Sequence, residues 1–184
     1  MNLSVPGADK AHTRKLEIST YKTEKDAVIV KGELKDECFV TRYMTAGEHR
    51  PPGIVHHMIV RMKVRGPSLI IEEVEVEMPT VPREDCRNTQ DTLSSLAGMS
   101  ISSGFTIKVK DMLGGPKSCS HLVSLVLSMA PAAVQGAWAA LSSEQIDPSI
   151  YAERAIETLS DTCWVWRKNG PLFESYRRRL EEYL

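Results

Sequence analysis

The 184 residues (20.5 kDa) are 42% hydrophobic and 26% charged, ordinary for a folded soluble domain and too apolar for wholesale disorder. Lys and Arg number 23 against 24 Asp and Glu, a net charge of −1; with no basic surplus, neither a nucleic acid nor an anionic membrane surface is expected as a partner. Four cysteines are too few for a disulfide scaffold, and the polar start after Met1-Asn2-Leu3 has no signal-peptide core, so a cytoplasmic protein with free thiols is expected.

One domain spanning residues 1–184 is expected. Residues 1–13 are polar, with Pro6 and Gly7, and should fray. The sheet then occupies 14–78. Lys15 to Tyr21 alternates, and Ala27 to Leu34 is rich in β-branched residues, so both read as strands. The charged stretch from Lys35 ends in Arg50-Pro51-Pro52-Gly53 and reads as a loop. Val55 to Val64 is the clearest strand, with His56, Met58, Val60, Met62 and Val64 on one face and His57, Ile59, Arg61 and Lys63 on the other. Gly66-Pro67 breaks it and Ser68 to Met78 returns, which predicts an antiparallel hairpin.

Helices follow over 79–141. Pro82 suits a first helical turn, and Glu84 and Asp85 suit the positive end of a helix dipole, predicting a helix to about Ala97 that Gly98 stops. A short element from Ile101 to Leu113 ends at Gly114-Gly115-Pro116. A longer helix opens at Ser118-Cys119-Ser120; Pro131 is expected to kink or end it before the pattern resumes over Ala132–Leu141. The longest apolar run, Leu122 to Leu141, carries Ser124, Ser128, Gln135 and that proline, too polar for a bilayer span. Residues 142–184 form a helical C-terminal extension: a linker with Cys163-Trp164-Val165-Trp166, then a charged helix from Pro171, placed against the outside of the sheet. Strands first and helices after give an α+β fold, an antiparallel sheet with helices packed on one face.

The chemistry-bearing residues fall at element ends. His56 and His57 open the best strand, Cys86 lies in the first turn of one helix, and Cys119 and His121 in the first turn of another. Strand ends and helix N-termini converge at the rim of a sheet, and a helix N-terminus suits a thiolate. The bland reading stands beside this one: free cysteines pack as small hydrophobes, and His56 shares its face with Met58 and Val60 as a half-buried histidine would. Adjacent His56 and His57 point to opposite faces, so at most one joins a given site. No GxxxxGK[ST], GxSxG or HExxH motif is present. Arg177-Arg178-Arg179, followed by Glu181-Glu182, reads as a solvated face.

From Val55 to about Ala137 the chain resembles iron–sulfur scaffold proteins of the NifU/IscU type. His56, ahead of Val60-Arg61-Met62-Lys63-Val64, stands where that family has a ligand aspartate; Cys86 takes the helix-opening cysteine, and Gly115-Pro116-Lys117-Ser118-Cys119-Ser120 overlays the final one. The departures are Ile54, where the family has its first cysteine, and Ser118, where it has a histidine, with His121 lying on the other side. The resemblance thus implies an incomplete three-cysteine cradle and a two-Cys, two-His remainder. Over most of its length the chain looks like members of a bacterial and archaeal family known only as a domain of unknown function. That resemblance rests on His56-x-Met58, Pro79…Cys86, Leu96-x-Gly98 with Gly104-Phe105, Gly114-Gly115 before Cys119-Ser120-His121-Leu122, and Asp161-Thr162-Cys163. It implies no activity, and raises Cys163 to a possible further site member.

Three functions compete. The first is a metal-binding protein in which His56, Cys86, Cys119 and His121, or a Cys₃His set with Cys163, hold Zn²⁺ or an iron–sulfur cluster, with donors within about 4 Å of one another. The second is a thiolate enzyme using Cys119 or Cys86 with His121 or His56 as base, which needs a third, orienting group. The third is a module that binds a small molecule or a protein, a homo-oligomeric copy included.

Overall fold

The computed structural model describes residues 7–23, 26–45, 47–143 and 145–183. The strands are β1 (His12–Lys22), β2 (Ala27–Cys38), β3 (Arg42–Tyr43), β4 (His49–Arg50), β5 (Gly53–Arg65) and β6 (Ile70–Thr80). Four of them form one antiparallel sheet in the order β1-β2-β5-β6, and β3 pairs only with β4 in the excursion between β2 and β5. The protein is α+β, as the order of elements predicts.

Two-residue periodicity decides which side of the sheet is covered. Val28, Val30 and Leu34 of β2 and Met58, Val60, Met62 and Val64 of β5 point inward and are buried. Outward point Glu33, Lys35, His57, Arg61 and Lys63, tied by ion pairs such as Lys35 Nζ to Glu33 Oε1 at 2.5 Å and Lys63 Nζ to Glu72 Oε2 at 3.6 Å. The inner face is covered by α2 (Ser120–Leu141), which buries Leu122, Leu125, Val126, Met129 and Ala133 against it. By length and composition α2 is apolar enough to cross a membrane, with mean hydropathy 1.5; in the fold that apolarity serves the sheet. Glycine permits the close approach. A Cβ on Gly32 of β2 would lie 2.6 Å from Met129 Sδ and 2.8 Å from its Cγ, and one on Gly136 would collide with Thr20 of β1.

The remaining helical elements are a 3₁₀ segment (Glu84–Leu96), α1 (Phe105–Leu113), a 3₁₀ turn (Gly115–Lys117), α3 (Pro148–Leu159) and α4 (Pro171–Tyr183). The predicted helix after Pro82 is therefore present but wound as 3₁₀, unusual at such length. Its hydroxyls offer a reason: Thr89, Thr92, Ser94 and Ser95 each donate to the carbonyl three residues back, favouring the tighter i−3 spacing. Leu93 and Leu96 anchor it, and Gln90 Nε2 donates to the Val76 carbonyl at 2.8 Å, fixing it beside β6.

Four sequence expectations are corrected. Frayed residues were expected to 13 (1–6 lie outside the described residues), yet β1 begins at His12, which pairs in register with Cys38, because the β2 edge offers it hydrogen bonds. β2 runs on to Cys38 through the stretch read as loop, since Leu34 and Asp36 continue its inward alternation. Pro131 does not end α2, which continues to Leu141: Met129, Ala130 and Ala133 are buried on either side, and packing outweighs the lost backbone bond. Finally, α4 lies on α3 rather than on the outside of the sheet. Tyr176 meets Tyr151 at 6.4 Å and Trp166 at 5.0 Å between ring centroids, an aromatic contact that the charged outer sheet face does not offer.

Candidate metal centre

Sheet register puts Arg14, Asp36 and His56 side by side on three adjacent strands: Arg14 of β1 opposes Asp36 of β2, which opposes His56 of β5. All three belong to the inward set at the end of the sheet where the apolar core stops. Asp36 is only 2% exposed, and so needs partners for a charge removed from water. It has several. Arg14 donates two parallel bonds, Nε to Oδ1 and Nη2 to Oδ2, each 2.7 Å. His56 Nδ1 is 3.0 Å from Oδ2, and His12 Nε2 lies 3.5 Å from Oδ1.

The fourth neighbour arrives from α2. Cys119 is the N-cap of that helix and His121 lies in its first turn; the His121 ring stacks on His56, centroids 3.7 Å apart and planes at 27°. His121 Nε2 is 3.4 Å from Asp36 Oδ2, and its Nδ1 faces Cys119 Sγ at 3.7 Å. The packing of α2 on the sheet therefore brings together residues some 85 positions apart (Asp36 and His121).

The electrostatics follow from burial and from Arg14. Hydrogen bonding from the Arg14 guanidinium holds the Asp36 carboxyl below the ordinary aspartate range, against the opposing pull of burial. Loss of water lowers both imidazoles, partly offset at His56 by the Asp36 charge and reinforced at His121 by its neighbours His56 and Arg14. The site thus favours an ionised carboxylate beside neutral imidazoles, the protonation states in which these groups bind metals.

Among the described residues, Asp36, His56 and His121 are the one group of three His, Cys, Asp or Glu whose donor atoms all lie within 4.8 Å of one another. The fold brings two of the four expected donors, His56 and His121, into that group. Cys119 is adjacent through His121 but outside it, and Cys86, half-buried against the core from the 3₁₀ segment, is also outside. Cys163 is exposed in the turn between α3 and α4, and His57 faces away, its Nε2 2.8 Å from Glu33 Oε1. Sequence reasoning missed Asp36 together with Arg14 and His12. The available signal was the inward alternation of Val28, Val30, Gly32 and Leu34, which carries one step further to Asp36.

Neither a curated protein nor a solved structure matches the chain. A family model does, over residues 12–135, from the first strand through most of α2 and so across every residue of the Asp36 cluster. The chain belongs to the family described as protein of unknown function (DUF2889).

Proposed function

We propose that the protein binds a single divalent metal ion, Zn²⁺ in the first instance, through Asp36, His56 and His121. The observation that carries this reading is the convergence of three metal-capable donors within 4.8 Å at the end of the sheet where the apolar core stops. Tetrahedral Zn²⁺ with bonds near 2.1 Å separates its ligand atoms by roughly 3.4 Å. The pairs His56 Nδ1–Asp36 Oδ2 at 3.0 Å and His121 Nε2–Asp36 Oδ2 at 3.4 Å stand close to that spacing. A carboxylate offers about four lone-pair sites, so Asp36 can keep Arg14 while it serves an ion. Cys119, against His121 Nδ1, holds the second ring nitrogen and leaves Nε2 for the metal.

Three protein ligands leave a coordination position open, the arrangement that supports Lewis-acid hydrolysis. An iron–sulfur cluster in the manner of the NifU/IscU resemblance needs cysteine thiolates, and neither Cys86 nor Cys119 is in the group, which favours zinc. Elemental analysis tests the reading: near one zinc per chain in the purified protein, lost in His121→Gln and His56→Gln and retained in Cys86→Ser. Retention in both histidine variants, or loss only in Cys86→Ser, sinks it.

A second reading has its own observation. Cys119, His121 and Asp36 form a chain of nucleophile, base and orienting carboxylate at 3.7 and 3.4 Å, supplying the third group that a thiolate enzyme requires. Under this reading the metal-free protein shows selective alkylation of Cys119 that slows in His121→Gln and in Asp36→Asn.

A further inference from the structure

We propose a second ligand site, at the opposite end of the sheet from Asp36, for a small organic acid with an apolar body. A cavity of about 420 Å³ lies where β1 ends, β2 begins and β5 turns, closed by the last turns of α2 and by α3. That volume is within the range of small-molecule pockets. Its walls include Val28, Val64, Val134, Ala137, Leu141 and Ile150, so an occupant is held mainly by apolar contact. Trp138 also lines it, steadied edge-on by Tyr151 at 5.0 Å.

The charges at this cavity indicate the ligand's polar end. Four ionisable groups line it: Lys22, Asp26, Asp147 and Arg154. Asp147 is committed to capping α3, its Oδ1 accepting from Ser149 N at 2.8 Å and Ser149 Oγ at 2.5 Å. Lys22 Nζ donates to Ser143 Oγ at 3.2 Å. Among the described residues neither the Asp26 carboxylate nor the Arg154 guanidinium has a hydrogen bond or ion pair, but Asp26 is exposed to water in the turn before β2 whereas Arg154 is half-buried. A planar guanidinium at an apolar cavity suits a carboxylate, which it binds through two parallel bonds. Ala137 and Leu141, in the last turns of α2, and Ile150 and Arg154 of α3 all lie beyond residue 135, so residues past the family match build much of this site.

Calorimetric titration of the full chain with octanoate and 3-phenylpropionate, each against its alcohol, tests the proposal. Saturable binding of at least one acid is expected, with its alcohol at least ten-fold weaker. Arg154→Met should weaken the acid at least ten-fold and leave the alcohol unchanged, while Arg154→Lys recovers part of the loss. Ala137→Phe, which fills the cavity, should abolish binding; if far-UV circular dichroism shows that variant unfolded, the Arg154 pair decides alone. No saturable binding by either acid, acid and alcohol binding equally, or indifference to Arg154→Met each overturn the proposal. His121→Gln should bind the acid as the parent does, so this outcome is separate from the fate of the metal site.

Discussion

Asp36 is the residue on which the cluster turns. Its carboxylate is buried and shared among Arg14, His56 and His121, so truncation removes several partners at once. Arg14 retains contact with water, which moderates the penalty. Asp36→Ala is expected to cost about 1–3 kcal/mol, measured by urea unfolding of the metal-free protein. Acid should destabilise that protein in two stages. His56 and His121 titrate in the fold below their ordinary value of about 6.5. As pH falls through that value the unfolded chain takes up protons that the fold refuses, and stability declines. Asp36, depressed below the usual aspartate range, supports the fold at higher pH and loses that support progressively as pH falls from the ordinary aspartate range through its own lowered value. Melting temperature against pH should therefore begin to drop near neutrality, and His121→Gln should shrink the first stage; an unchanged profile in that variant refutes this origin.

At the scale of elements, contact between α2 and the sheet positions His121 over Asp36. The contact is close because Gly32 gives Met129 the space a side chain would occupy. Gly32→Ala should cost about 1–3 kcal/mol by overpacking, and Met129→Ala in the same chain should recover part of it, read as non-additivity in a double-mutant cycle. The 3₁₀ segment is joined to the start of α2 by Thr92 Oγ1 and Ser118 Oγ, 2.6 Å apart, with Ser118 buried just before Cys119. Much of this layer was legible. The hairpin of β5 and β6 and the opening of α2 near Cys119 followed from alternation and turn residues, which act locally. The 3₁₀ winding was not, because it depends on hydroxyl bonds that compete with an otherwise helical pattern.

For the whole molecule, the proposed metal binding would be linked to folding. An ion that binds only the folded chain adds about 2.7 kcal/mol at a concentration one hundred times its dissociation constant. Zinc should thus raise the melting temperature of the metal-free protein, chelation should reverse the rise, and His56→Gln should show neither. The two ends of the sheet carry different chemistry: a charged and imidazole-lined rim within the family domain, and an apolar cavity completed by the C-terminal extension. Occupation of one end is expected to leave the affinity of the other unchanged, since the core of β2, β5 and α2 separates them and no residue lines both.

Local pattern was enough to define the α+β class, the inward face of β5 with His56 upon it, and the position of Cys119 and His121 at a helix opening. Each depends on residues a few positions apart, where periodicity and turn chemistry operate. The partners of those residues depended on register and packing. Asp36 meets His56 because β2 runs past Leu34 and aligns with β5, and His121 joins them because α2 crosses the sheet at a glycine. Cys86, equally well placed at the opening of a helical segment, follows that segment beside β6 and stays outside the group. Spacing along a chain constrains which way a side chain points, but only the closure of long loops determines what it meets.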